Sequence, residues 1–151
     1  MANEKTAHAV WEGDLIDGSG RVSTGSGSVD QTMTWAARAQ DVDGASPEEL
    51  IAAAHATCVS MALAAGLARA GTPPTHLETD ATTSFDQADG GFALTTVRLR
   101  IRGQVEGVDE DGFKQAAEEA KENCPVSQAL KGNVDVSLDA SLANRSPSRS
   151  A

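Results

Sequence analysis

Between Leu50 and Leu67 nearly every residue is apolar or small, with Ile51, Ala52, Ala53, Ala54, Ala56, Val59, Met61, Ala62, Leu63, Ala64 and Ala65 in an almost unbroken run. The run begins at Ser46-Pro-Glu-Glu49, where Ser46 can cap the backbone, Pro47 suits a first helical position and Glu49 completes a capping box. It stops at Gly71, with Pro73 and Pro74 beyond. The pattern predicts one helix of about 24 residues, roughly 36 Å long at ~1.5 Å per residue. A helix that is apolar all round is either buried in a core or spans a bilayer.

Glu48, His55 and Arg69, the weak hydrophobicity of alanine and the lack of flanking aromatic or basic anchors argue against the bilayer. The chain of 151 residues is the size of one domain. A globule of that size has a radius of gyration near ~15 Å, so the helix would cross its whole diameter. Covering it on every side calls for a second subunit. Tyr is absent and aromatics make up 3%, so Ala, Val, Leu and Ile must fill the core.

Twelve basic against twenty-two acidic residues give a formal charge of −10, and no basic cluster interleaves with aromatics. Nucleic acid is therefore not an expected partner. The start, Met1-Ala-Asn-Glu-Lys-Thr6, has no apolar stretch of the secretory kind, so the expected compartment is the cytoplasm. There, a disulfide between Cys58 and Cys124 would be transient and catalytic rather than structural.

The first 40 residues predict three short antiparallel strands, around His8–Trp11, Arg21–Thr24 with Ser28–Asp30, and Thr32–Trp35, with Gly18, Gly20, Gly25 and Gly27 at turns or bulges. After the long helix, Leu77 to Phe85 and Phe92 to Arg102 alternate as a hairpin turning at Asp89-Gly-Gly91, with a bulge near Thr95-Thr96. Arg98, Arg100 and Arg102 read as the solvated face of a strand. Residues 109–122 form an amphipathic helix, Pro125 opens a second short helix ended by Gly132, and Val134 to Ala140 alternate as a final strand. Residues 1–143 are read as a single domain and 144–151 as a disordered tail. The order implies an α+β fold with an antiparallel sheet and a long buried central helix.

Cys58 lies in the middle of the apolar helix, and Cys124 directly precedes Pro125, where a helix terminus favours a thiolate. On composition alone a packing role for Cys58 stands beside a chemical one. His55, three residues before Cys58, can join both cysteines as a three-ligand metal site or act as a base. With no Cys-x-x-Cys pair and dispersed histidines, a preformed structural metal site is not expected.

Two segments carry a resemblance: Ser46-Pro-Glu-Glu-Leu-Ile-Ala-Ala-Ala-His-Ala-Thr-Cys-Val-Ser-Met-Ala-Leu63 and Asn123-Cys-Pro-Val-Ser-Gln-Ala-Leu130. With His8-Ala-Val-Trp-Glu-Gly-Asp14 and Thr34-Trp-Ala-Ala-Arg38, the chain resembles the OsmC branch of the OsmC/Ohr family over about residues 8–142. The resemblance implies an intertwined homodimer that reduces organic hydroperoxides without a cofactor. It implies Cys58 as the peroxidatic cysteine, Cys124 as the resolving one, and Arg38 with Glu48 completing the pocket. It also implies an external dithiol as reductant, such as a lipoylated protein. Val59 stands where relatives often carry phenylalanine, which bears on pocket size.

Geometry adds a separate argument. Ten helical residues between Glu48 and Cys58 rise roughly 15 Å, so the two cannot meet within one straight helix. If both serve one site, the glutamate comes from a second copy across a two-fold axis. Arg38 would favour the thiolate, and Glu48 would orient the guanidinium by a bidentate pair.

Overall fold

The computed structural model describes residues 2–143; the expected tail, 144–151, lies outside the described residues. The chain forms two compact units, Met1–Leu50 and Ile51–Ala151.

In the first unit, β1 (Ala7–Glu12), β2 (Ser19–Thr24) and β3 (Asp30–Met33) form an antiparallel sheet in that order. The third strand ends earlier than its alternation suggests. Thr34 leaves the sheet and caps a short helix, α1 (Trp35–Ala39), by accepting the Ala37 N–H at 3.1 Å. Trp35, expected on a strand, therefore opens a helix, and that helix carries Arg38. The hydroxyl of Thr34 satisfies an amide that a continuing strand would have paired across the sheet.

The long helix, α2, runs Pro47–Arg69. Ser46 Oγ accepts the Glu49 N–H at 3.1 Å, so the predicted cap forms where the Ser-Pro-Glu-Glu signal places it. By length and composition alone α2 could cross a membrane. It buries one stripe rather than its whole surface. His55, Val59, Leu63 and Leu67 recur every four residues and are buried, whereas Ala54, Thr57, Met61, Ala65 and Ala68 are exposed. Among the described residues, full burial over residues 51–69 of this helix is confined to that stripe.

In the second unit, β4 (His76–Ala88) and β5 (Gly91–Gln104) form the expected hairpin. Asp89 and Gly90 both have positive φ, 37° and 85°, which suits a two-residue turn matched to strand twist. The register passes from Ser84 opposite Thr96 to Phe85 opposite Leu94, leaving Thr95 as the extra residue of the bulge. Helices α3 (Glu110–Asn123) and α4 (Pro125–Leu130) follow.

The last strand, β6 (Asp135–Leu142), pairs with β5 in parallel, so this sheet, in the order β4-β5-β6, is mixed rather than antiparallel. The reason is the α3–α4 connection, which carries the chain back to the starting end of β5 as a crossover.

Alternation on β5 divides its side chains. Val97, Leu99 and Ile101 enter the core with Val59, Leu63 and Leu67 of α2 and Phe113, Ala117 and Ala120 of α3. Arg98, Arg100 and Arg102 are exposed between acidic and hydroxyl neighbours: Arg100 lies opposite Asp80 on one side and Asp139 on the other, and Arg102 opposite Glu78. The stripe is charge-compensated within its own sheet.

Candidate active site

The first unit supplies an arginine held by a carboxylate. Arg38 donates from Nε to Glu48 Oε1 and Oε2 at 3.1 and 3.3 Å, and from Nη2 to Oε2 at 3.0 Å. Glu48 is nearly buried and Arg38 about one-third exposed, so the fork is shielded from water on the carboxylate side. Bidentate pairing fixes the plane of the guanidinium as well as its position. Arg38 also stands in the wall of a cleft of about 660 Å³, lined by Val10, Trp11, Leu15, Trp35 and Leu50. This is a mostly apolar hollow with two arginines, Arg21 and Arg38, in its wall.

The second unit supplies the thiols. Cys58 is partly buried on α2, and Cys124, fully buried, forms the junction at which α3 ends and α4 begins. Although 66 positions separate them, their side chains lie close enough to influence each other's ionisation, and the backbone N–H of Val126 is near enough to the Cys58 sulfur to favour its thiolate. Burial pushes the Cys58 thiol above its ordinary range; the contact with Cys124 adds to this, and the Val126 amide opposes it. Both cysteines are free thiols.

Beside them, His55 Nε2 and Ser127 Oγ lie 2.7 Å apart in a buried hydrogen bond. His55 thus pairs with a hydroxyl. Among the described residues no group of three or more His, Cys, Asp or Glu side chains gathers to hold a metal.

Arg38 and Glu48 are therefore brought together in one unit, and Cys58 and Cys124 in the other. Sequence reasoning missed Val126 and Ser127, whose contacts depend on how α4 docks. The available signal was spacing: Ser127 follows Cys124 by three residues, as His55 precedes Cys58 by three.

The OsmC-like protein family model matches residues 39–139, most of the chain and all of the thiol-bearing unit's sheet and helices up to β6. The chain belongs to the OsmC-like family. Peroxiredoxin OsmC of Escherichia coli (strain K12) is 43% identical to this OsmC-like chain over 143 residues, covering 94% of it and 99% of the relative. Organic hydroperoxide resistance protein OhrA of Bacillus subtilis (strain 168) is 35% identical, over 74% of this chain and 78% of its own length.

Among solved structures, an organic hydroperoxide resistance protein from Elizabethkingia anophelis superposes with a TM-score of 0.75 at 28% identity, covering 96% of this chain and 100% of that one. OhrB of Bacillus subtilis gives 0.71 at 28% identity, covering 89% and 97%. The α+β OsmC/Ohr fold expected from the sequence is the fold observed.

Proposed function

We propose that this OsmC-like chain is a cysteine-based peroxidase that reduces organic hydroperoxides to alcohols, working as a homodimer in the cytoplasm. The observation that carries the reading is the proximity of Cys58 and Cys124, two free thiols from distant parts of the sequence that the fold brings beside each other. The names of the relatives, peroxiredoxin and organic hydroperoxide resistance protein, point to the same chemistry.

Cys58 is the attacking thiol and Cys124 the resolving one. The Cys58 thiolate attacks the terminal peroxide oxygen: an S–O bond forms, the O–O bond breaks, and the alkoxide leaves to take up a proton as alcohol. Cys124 then attacks the sulfenic sulfur: an S–S bond forms, the S–O bond breaks, and the hydroxyl leaves with the Cys124 proton as water. An external dithiol, such as a lipoylated protein, restores both thiols by exchange and departs as its own disulfide.

Because burial raises the Cys58 pKa, the thiolate requires a nearby cation. Arg38 of the partner subunit, oriented by Glu48 of the partner subunit, is that cation. It also stabilises the departing alkoxide. Two features support the shared site: the rise of ten helical residues between Glu48 and Cys58, and the apolar surface of α2 that one chain leaves exposed.

The test is intact-protein mass spectrometry after one equivalent of cumene hydroperoxide. Wild type is expected to lose two hydrogens, Cys124→Ser to stop at a sulfenic acid, and Cys58→Ser to remain unchanged. Turnover retained in Cys58→Ser would overturn the reading.

A further inference from the structure

The hydrogen bond between His55 and Ser127 joins the same two elements that carry the cysteines. His55 lies one helical turn before Cys58 on α2, and Ser127 one turn after Cys124 on α4. The two contacts are thus neighbouring rungs between one pair of elements. The thiol rung must open and re-form during turnover, whereas the imidazole–hydroxyl rung is buried and chemically idle. His55 is fully buried and Ser127 nearly so, and a hydrogen bond out of water is costly to leave unmade. Helix α4 has only six residues and Cys124 makes no side-chain capping bond, so its placement depends on such anchors.

We propose that His55 and Ser127 are positioning residues for disulfide closure, holding α4 against α2 so that the Cys124 sulfur stays in line with the sulfur of Cys58. This rests on the peroxidase reading above. Once Cys58 is a sulfenic acid, its contact with the Cys124 thiol is altered. The His55–Ser127 bond is unaffected by that oxidation and keeps Cys124 from drifting. Cys124 then attacks the sulfenyl sulfur, the S–S bond forms, the S–O bond breaks, and water carries away the hydroxyl and the thiol proton.

The pair acts on the second chemical step and leaves the first nearly untouched. Rapid mixing of the full chain with cumene hydroperoxide, quenched with dimedone at successive times and read by intact mass, separates the two steps. Dimedone captures the sulfenic acid, and loss of two hydrogens marks the disulfide.

Ser127→Ala is expected to slow closure by about tenfold or more, the cost of one buried hydrogen bond. Sulfenic acid would accumulate while its formation rate changes less than about threefold. His55→Gln, whose amide Nε2 can still donate to the hydroxyl, is expected to close faster than Ser127→Ala. Closure at the wild-type rate in Ser127→Ala would overturn the proposal, as would equal slowing of both steps. Wild type that forms no disulfide would instead overturn the peroxidase reading, so the two failures are distinguishable.

Discussion

The backbone N–H of Val126 lies near the sulfur of Cys58 and favours its thiolate, although it is Cys124 that heads the helix to which Val126 belongs. The sequence suggested that a helix terminus would favour a thiolate at Cys124. In the structure an amide of that first turn serves the other cysteine. This suits the proposal that Cys58 is the nucleophile, since an N–H beside the sulfur favours the charged form. The net shift of Cys58 is still upward, so one amide does not overcome burial. The remaining requirement is a cation beside the sulfur.

Arg38→Met should lower the second-order rate constant with cumene hydroperoxide about a hundredfold at neutral pH, equivalent to ~2.7 kcal/mol or roughly two pKa units. Raising the pH should recover part of the loss by forming thiolate directly. Glu48→Gln keeps the cation and loses its orientation, so a smaller fall, about tenfold, is expected. Stopped-flow rates against pH distinguish the two; a pH profile unchanged in Arg38→Met would refute the activation role.

If the site is shared between chains, two inactive variants should complement each other. Cys58→Ser retains Arg38, and Arg38→Met retains Cys58, so a mixed dimer rebuilds one complete site. Random exchange of equal amounts should restore about a quarter of wild-type activity. No recovery after confirmed subunit exchange would place the arginine and the cysteine of a site on one chain.

Met61 is 68% exposed on the uncovered face of α2. Met61→Glu should convert a dimer to monomer in sedimentation experiments, since a carboxylate is costly to bury across an apolar interface. Far-ultraviolet circular dichroism should remain helical, and peroxidase activity should fall with dimer content.

His55 is buried, and burial lowers its pKa, so the folded state prefers the neutral ring. The unfolded chain takes up a proton from about pH 6.5 downward while the folded chain does not. Stability from this group is therefore present above about pH 6.5 and lost as pH falls towards the depressed folded pKa. The slope is at most about 1.4 kcal/mol per pH unit for one proton. Moreover, Nδ1 has no hydrogen-bond partner among the described residues, so a second ring N–H would go unmet there. Urea unfolding between pH 7.5 and 5.5 should show a shallower pH dependence in His55→Gln than in wild type.

A side chain at Gly103 on β5 would strike the core. A Cβ there would lie 2.6 Å from two ring carbons of Phe113, which is fully buried, and 3.1 Å from Leu77 Cδ2. Gly103→Ala should cost about 1–3 kcal/mol, as overpacking does. Thermal unfolding gives the check, and an unchanged midpoint would mean that the Phe113 ring moves aside freely.

Much of the fold was legible because its signals are local. Ser46, Pro47 and Gly71 bracket α2, Asp89-Gly90 makes the hairpin turn, and the Thr95 bulge interrupts the alternation where the register shifts. Helix α1 was not legible as a helix, because five residues are too few for a period and only the hydroxyl of Thr34 marks the change. The direction of β6 was misread for a different reason. Val134, Val136 and Leu138 alternate identically whether a strand runs parallel or antiparallel, so only the α3–α4 crossover decides.

The site divides in the same way. Resemblance supplied Arg38, Glu48, Cys58 and Cys124 by position, and the structure forms the Arg38–Glu48 fork and the Cys58–Cys124 contact as two pairs. Val126 and Ser127 act through contacts across more than sixty residues of sequence, which no local pattern records.

The parallel pairing of β5 with β6 also has a consequence for the order in which the chain becomes chemically competent. Cys124 sits inside the crossover between these strands, not on either of them. During synthesis the Cys58 helix emerges early, but the crossover cannot be pinned at both ends until the final strand has left the ribosome and found its place beside β5. If Cys58 attacks and Cys124 resolves, as proposed, a nascent chain carries the first thiol before the second has a settled place. In that interval, an oxidised Cys58 would depend on thiols outside the chain.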